Sequence, residues 1–122
     1  QMEKYKHRTI ILGLPKMINA SSRNSWRAVY SERKKWKALV LKSFFLVRPK
    51  QPLEKAKVSI TRFSSKCPDY DGQVSAGKAI LDGLVEAGII IDDNMNVIGA
   101  PEFKWMKAKP RMGCVEIVVE EI

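Results

Sequence analysis

A helical pattern with strand-like patterns on both sides most constrains what this chain can fold into. Across residues 55–63, apolar and polar side chains alternate, as they do in a half-buried strand. Across residues 74–87, apolar side chains recur instead at helical spacing. A short apolar segment, residues 88–91, follows directly and is expected to be buried. The helix can therefore fold the ends of the two flanking segments back towards each other.

Pairs of carboxylates stand at both ends of this helix. Asp69 and Asp71 precede it at strand or loop spacing, which points both side chains the same way. Asp92 and Asp93 follow the apolar segment, where the chain should emerge from the core. Like charges this close repel one another, and a hard divalent cation between them relieves the repulsion. The pattern predicts a site for Mg²⁺, with Mn²⁺ as a substitute; the alternative is an ordinary N-cap and an ordinary turn.

Lys78 lies inside the apolar stripe of the helix, four residues after Val74 and three before Leu81. A lysine on a packed face needs a partner. One interpretation is structural: the side chain snorkels to water, or its ammonium pairs with Asp82 at i,i+4. The other interpretation puts the ammonium beside the carboxylates, as a counter-charge that also binds a phosphate. The sequence leaves both open.

Charge is segregated along the chain, which has a net charge of +9. Residues 1–66 hold 17 Lys and Arg against 3 Asp and Glu, whereas residues 67–122 hold 5 against 10. A basic surface neutralises the phosphates of nucleic acid, and a carboxylate cluster binds a metal ion. The combination is typical of a nuclease. With 122 residues, the chain is expected to form a single domain, residues 1–122, around one core.

The N-terminal half predicts a strand, a loop and a long helix. Residues 7–14 have the pattern of a strand, and residues 15–24 have the composition of a loop. Residues 26–30 are predicted to form a short strand, and Ser31 to be the N-cap of the helix. The predicted core-facing stripe of that helix contains Trp36, Leu39, Val40, Ser43, Phe44 and Val47. Leu41 and Phe45 fall on the other side, where exposed apolar groups are candidates for a subunit contact.

Polar and basic side chains of this half are the predicted contacts to DNA. Asn19, Arg23 and Arg27 would bind a backbone phosphate from the loop region. Lys34 belongs to a basic run that lies mostly off the apolar stripe of the helix. Such a run is also typical of a merely solvated face, and both interpretations stay open.

The C-terminal part predicts two further strands. Residues 97–107 are expected to form one, and residues 114–119 the other, with Val115, Ile117 and Val119 on one face. The predicted elements together indicate the α/β (α+β) class, as one compact domain with a mixed sheet and two main helices.

Several classes of protein are disfavoured. His7 is the only histidine, which removes Ser-His-Asp and Cys-His catalysis unless His7 itself takes part. Cys67 and Cys114 are too few and too far apart for a disulfide framework or a zinc site, so a reducing cytoplasm is expected. No apolar run approaches the roughly 18 to 20 residues of a membrane span, and no signal peptide is apparent.

The acidic and lysine motifs, taken together, resemble those of the RusA family of Holliday junction resolvases. The matching residues, in chain order, are Asp69-Tyr70-Asp71-Gly72, then Lys78, Asp82 and Leu84, then Gly88, then Asp92-Asp93. The family has D-x-D-N, K-x-x-x-D-x-L, a glycine and D-D in the same order. Gly72 stands where the family has Asn, and three extra residues separate Asp71 from Lys78.

The resemblance implies a compact mixed α/β fold, a homodimer, and Mg²⁺-dependent nicking of two opposed strands of a four-way DNA junction. It implies that Asp69, Asp71 and Asp93 bind the metal and are catalytic, and that Lys78 is the catalytic lysine. The family has a basic residue before the first aspartate; Pro68 stands there, so Arg62 or Lys66 would supply that charge to the DNA. A bacterial or phage cytoplasm is implied, with no small-molecule cofactor and no membrane.

Two other functions remain compatible with the same residues. One is a non-catalytic nucleic-acid-binding module, in which the acidic residues are only caps and turns. The other is a Mg²⁺-dependent nuclease that acts on flaps, forks or simple duplex.

Overall fold

The computed structural model describes residues 3–15 and 25–122. Along the chain, its elements are β1 (Lys6–Leu12), α1 (Ser25–Phe44), a 3₁₀ turn (Phe45–Val47), β2 (Ala56–Ser64), α2 (Tyr70–Glu86), α3 (Met95–Ile98), β3 (Glu102–Lys107) and β4 (Cys114–Glu121). Most of the predicted loop at 15–24 lies outside the described residues. None of the helices in these ranges combines the length and the apolar character that crossing a membrane would require.

The four strands form one mixed sheet in the order β1-β4-β2-β3. Strand β4 runs antiparallel to both β1 and β2, whereas β2 and β3 are parallel. Parallel neighbours require a crossover connection, and α2 lies within it. The predicted α/β (α+β) class, with a mixed sheet and two main helices, is confirmed. The strands predicted at 7–14, 55–63 and 114–119 are β1, β2 and β4, with small shifts of their ends.

The core lies between the two long helices and one face of the sheet. Its largest fully buried side chains include Trp36, Val40 and Phe44 of α1, Ile80 and Leu84 of α2, and Val58, Val115, Ile117 and Val119 of the sheet. Apart from Ile80, which lies outside the predicted stripe of α2, these are the positions that the helical and alternating patterns assign to the core. Burying them supplies the main driving force for folding. The opposite face of the sheet carries the alternate side chains of each strand.

The start of α1 differs from the prediction. Residues 26–30 are helical, not a strand, and Ser31 lies inside the helix rather than at its N-cap. Val29, which is half-buried, lies two helical turns before the buried Trp36 and extends the same stripe. No glycine or proline interrupts the segment. The buried stripe therefore outweighs the strand preference of Trp26, Val29 and Tyr30.

Two other boundaries also differ. Helix α2 begins at Tyr70, with Asp69 as its N-cap, so Asp69 and Asp71 do not have strand or loop spacing. Part of the strand predicted at 97–107 is instead the short helix α3, which follows the N-cap Asn94, and only Glu102–Lys107 is extended. The predicted end of α2 is confirmed: Gly88 has φ +77°, a conformation that glycine adopts without strain.

Substitution of Gly83 tests the contact between the two long helices. An added Cβ would lie 2.9 Å from Cβ of Val40 and 3.2 Å from Cα of Lys37. We expect Gly83→Ala to lower the free energy of unfolding by about 1–3 kcal/mol, because α1 must move away, even though alanine favours helix by about 1 kcal/mol. Chemical denaturation measures the change. Ser75→Ala, at an exposed position of the same helix, should not destabilise, and a Gly83→Ala variant as stable as wild type would contradict this contact.

Candidate functional site

Lys78 joins two segments that are separate in the sequence. Its Nζ donates a hydrogen bond to Oδ2 of Asp93, and it lies 3.1 Å from Oδ1 of Asp82. The Lys78 side chain is 44% exposed, while Asp82 and Asp93 are more covered. The ammonium therefore has both of the partners that the sequence left open: the i,i+4 carboxylate and one member of the second acidic pair.

The chain after α2 follows a fixed path that brings Asp93 to the lysine. Gly88 turns the chain, and its N–H donates to the carbonyl of Val85 at 3.1 Å. Ile89 and Ile90 are then buried, and the N–H of Leu53 donates to the carbonyl of Ile89 at 2.9 Å. The predicted burial of the apolar segment is thus confirmed for these two isoleucines. Their anchoring positions the exposed residues that follow.

Asn94 organises the loop around the second acidic pair, and the sequence analysis missed it. Its Nδ2 donates to Oδ2 of Asp92 at 3.0 Å, and its Oδ1 accepts from the N–H groups of Asn96 and Val97. The N–H of Asp93 donates to Oδ1 of Asp92 at 2.7 Å. The available signal was an Asn three residues before the apolar pair Val97-Ile98, since Asn is a preferred N-cap residue. Asp92 thus orders the loop that carries Asp93.

The Lys78–Asp93 contact holds both groups in their charged forms. Hydrogen bonding to Asp93 raises the pKa of Lys78 above its ordinary value, and the second partner Asp82 adds to the rise. The same hydrogen bond lowers the pKa of Asp93 below its ordinary value of 3.8. Partial burial opposes both shifts. Lys78 is therefore a cation, and Asp93 an anion, at neutral pH.

The first acidic pair lies at the start of α2, whereas Lys78 lies at the middle of the helix. Asp69 and Asp71 are exposed at the N-terminus of the helix, and Lys78 follows Asp71 by two turns, a rise of about 10 Å. Seven residues correspond to nearly two full turns, so Asp71 and Lys78 share one face of α2. About 10 Å of helix axis thus separates Asp71 from the lysine that Asp93 contacts.

Metal binding was considered for all these acidic residues. Within residues 3–15 and 25–122, no three His, Cys, Asp or Glu side chains lie close enough together to hold one metal ion. Carboxylate oxygens are the ligands that Mg²⁺ prefers, so the chemistry of Asp69, Asp71 and Asp93 is suitable for this ion. The assignment of Asp69, Asp71 and Asp93 as metal ligands stays a prediction.

The predicted DNA contacts come from two regions, and two of them, Asn19 and Arg23, lie outside the described residues. Arg27 and Lys34 are exposed on α1. Arg62 is half-buried near the end of β2, where its Nη1 donates to the carbonyl of Pro15 at 2.9 Å, and burial lowers its pKa. Lys66 is exposed just beyond β2. Arg62 thus has a structural partner, while Arg27, Lys34 and Lys66 present their charge at the surface.

Asp93→Asn tests how much the ion pair contributes to stability. Because folding lowers the pKa of Asp93, its contribution is present at neutral pH and is lost as the pH falls below 3.8 through the folded-state value. We expect the variant to be less stable by about 1 kcal/mol at neutral pH, since water screens the half-exposed lysine.

Denaturant titrations at a series of pH values measure this difference. Wild type and Asp93→Asn should converge in acid, because a protonated aspartate and an asparagine are both neutral. Glu54→Gln, a change at an exposed carboxylate, is the control and should show no such pH dependence. A difference that persists in acid would contradict the assignment.

Comparison with known proteins does not identify this site. The chain matches no model of a protein family, and no curated protein matches it. Its interpretation therefore depends on the geometry and chemistry of the residues described above, together with the motif resemblance to the RusA family.

Proposed function

We propose that this protein is a Mg²⁺-dependent endodeoxyribonuclease that resolves four-way DNA junctions by paired nicks, in DNA recombination and repair in the cytoplasm. The observation that supports it best is the Lys78 site: an ammonium shared by Asp82 and Asp93, half open to solvent, on the same face of α2 as Asp71. Metal-dependent hydrolysis of a phosphodiester uses carboxylates to hold the metal ion, and a fixed cation beside them stabilises the charge of the phosphate. The order of the motifs is also that of the RusA family.

Each residue has a definite role in this proposal. Lys78 binds the phosphate that is cut and stabilises the extra negative charge of the transition state. Asp82 and Asp93 orient the ammonium and keep it protonated. Asp69, Asp71 and Asp93 are the residues that would hold Mg²⁺ or Mn²⁺, and the bound ion would lower the pKa of the attacking water. The expected products carry 5′-phosphate and 3′-hydroxyl ends.

Binding of the junction is assigned to the basic residues. Arg27 and Lys34 on α1, and Lys66 beyond β2, would contact phosphates of the junction arms, while Arg62 supplies charge from a more fixed position. Asn19 and Arg23 belong to the same predicted set. Because these contacts are made to phosphates, binding should depend on shape and on salt more than on sequence.

The proposed enzyme is a homodimer, and the uncovered face of the sheet offers a surface for it. An apolar row crosses all four strands in register: Leu12, Cys114, Phe63 and Met106. Leu12 is 83% exposed and Met106 56% exposed. The same face carries four basic and three acidic side chains, several of them paired, so two copies can pack with little repulsion. Two-fold symmetry suits a four-way junction.

Charge introduced into this row tests the dimer. We expect wild type to sediment as a dimer, and the double variant Leu12→Glu, Met106→Glu to sediment as a monomer, because the interface would bury unpaired charges. Both side chains are exposed, so the fold should survive. Leu46→Glu is the matched control, since Leu46 is 91% exposed and lies outside the sheet. A monomeric wild type, or a double variant that stays dimeric, would exclude this interface.

A second candidate is a non-catalytic module that binds branched nucleic acid. It is favoured by one observation: among the residues that the structure describes, no three potential ligands are grouped for a metal ion. In that case the acidic residues only cap helices and order loops. Junction binding would then be insensitive to Mg²⁺ and to Asp71→Asn, and no strand would be cut.

Cleavage of a labelled synthetic four-way junction, with Mg²⁺ or with EDTA, separates the two candidates. For the endonuclease, we expect nicking only with Mg²⁺, and a loss of at least about 100-fold in Asp71→Asn and Lys78→Met. Asp71→Asn should bind the junction as well as wild type or better, because a negative charge facing phosphate has been removed.

Glu86→Gln is the control for these variants. Glu86 is another carboxylate of α2, but its ion-pair partner is Lys37, at 2.8 Å, and not Lys78. Its nicking rate should equal that of wild type. Nicking by Asp71→Asn at the wild-type rate would exclude the assignment. Faster cutting of linear duplex or of a Y-fork would point instead to a different branched-DNA or duplex nuclease.

A further inference from the structure

Two aromatic side chains on α1 are exposed side by side. Trp26 and Tyr30 are each 66% exposed, and they lie four residues, about one turn, apart on the helix. Side chains at this spacing are neighbours, with Cβ atoms about 6 Å apart. Both are solvent-exposed, unlike Trp36, Val40 and Phe44 further along the helix, which are buried in the core. The core therefore gives no reason for two large aromatic groups at these positions.

Basic side chains lie next to this aromatic pair. The guanidinium of Arg27 lies 5.1 Å from the centre of the Trp26 ring, as in a cation–π contact. Lys34 is exposed one turn after Tyr30. Helix α1 as a whole carries six basic side chains and one acidic side chain. The surface combines flat apolar rings with a high density of positive charge.

The charge indicates which class of partner fits. Two copies of α1 packed through this face would bring two strongly basic surfaces together, and they would repel. The near-neutral face of the sheet is better suited to self-association. A membrane surface would favour a continuous apolar stripe, but Lys34 and Lys37 lie between Tyr30 and Leu41. A negatively charged polymer with flat groups that stack on aromatic rings matches both the positive charge and the exposed rings of this surface.

We propose that Trp26 and Tyr30 form a stacking platform for unpaired bases of a nucleic acid, with Arg27 and Lys34 binding the adjacent phosphates. Every base has a flat face, so stacking on aromatic side chains needs no particular sequence, and cationic side chains follow the backbone. This inference rests on the proposed binding of nucleic acid. It adds that the bound DNA has unpaired bases. It does not depend on strand cutting.

Binding to two matched single strands tests the platform. One is a fluorescently labelled 12-nucleotide oligo-dT, and the other has the same length but abasic sites in place of the central bases. Both carry the same phosphates, so only the first can stack. The titrations are done in EDTA, so nicking plays no part, and anisotropy reports binding.

We expect Trp26→Ala and Tyr30→Ala each to weaken binding of the oligo-dT by about 5- to 100-fold. Binding of the abasic strand should change by less than about 2-fold, because the phosphate contacts remain. Trp26→Phe and Tyr30→Phe keep a flat ring and should restore most of the affinity. Leu41→Ala, which removes an exposed apolar side chain from the same helix, is the control and should have no effect.

Tryptophan fluorescence gives an independent signature. A base stacked on the exposed Trp26 should quench its emission, and this quenching should be missing in Trp26→Phe and with the abasic strand. Trp36 is buried and should not report the contact. Circular dichroism confirms that the variants are folded.

Several outcomes would overturn the platform. An equal loss for both strands would mean that the surface acts through charge alone, and no loss would mean that the rings are not used. A change in oligomeric state in Trp26→Ala would mark the face as a subunit contact. Loss of binding to anionic vesicles, with oligo-dT binding intact, would mark it as a membrane contact. If the protein does not nick the junction but still binds oligo-dT through its bases, the endonuclease proposal is overturned and the stacking platform is not.

Discussion

The close contact between α1 and α2 is the constraint on which the rest of the structure depends. Because Gly83 has no side chain, α1 and α2 pack closely at this position. A Cβ atom added to Gly83 would lie only 2.9 Å from Cβ of Val40. This contact fixes how α2 is rotated over the sheet. Because side chains on a helix are rigidly spaced, the rotation that buries Ile80 and Leu84 also puts Lys78 at the half-exposed edge. The position of the charged site is thus a consequence of core packing.

The same packing divides the surface into three regions of different character. Helix α1 turns its basic side chains and two aromatic rings to solvent. The Lys78 site combines one cation with several carboxylates, from α2 and from the loop after it. The uncovered face of the sheet is close to neutral and carries an apolar row. Since charge decides which partners approach and which are repelled, we propose nucleic acid, a reacting phosphate and a second copy of the chain as the partners of the three surfaces.

Local patterns predicted the fold where one signal dominated. The alternating residues of β2 are enough to fix both the type of element and its buried face. The helical stripe of α2 fixed the type of element but only part of its buried face, since Ile80 is buried outside that stripe and Lys78 is half-exposed within it. The errors arose where local signals competed. Trp26, Val29 and Tyr30 favour a strand by propensity, but Val29 reaches the core only as part of a helix with Trp36. Asn94 caps a helix of four residues, which is too short for any periodicity to reveal.

The sequence by itself determined that a helix flanked by two acidic pairs carries a lysine, and that charge is segregated along the chain. Only the tertiary structure decided which of these groups meet. The turn at Gly88 and the buried Ile90 bring Asp93 to Lys78, whereas Asp69 and Asp71 stay at the start of α2, with Asp71 about 10 Å along the axis from Lys78. The period of apolar residues indicates which face of a helix or strand is buried. Contacts between segments far apart in the sequence depend in addition on the path of the chain, here on the 17-residue helix α2, about 25 Å long, and on the crossover connection that contains it.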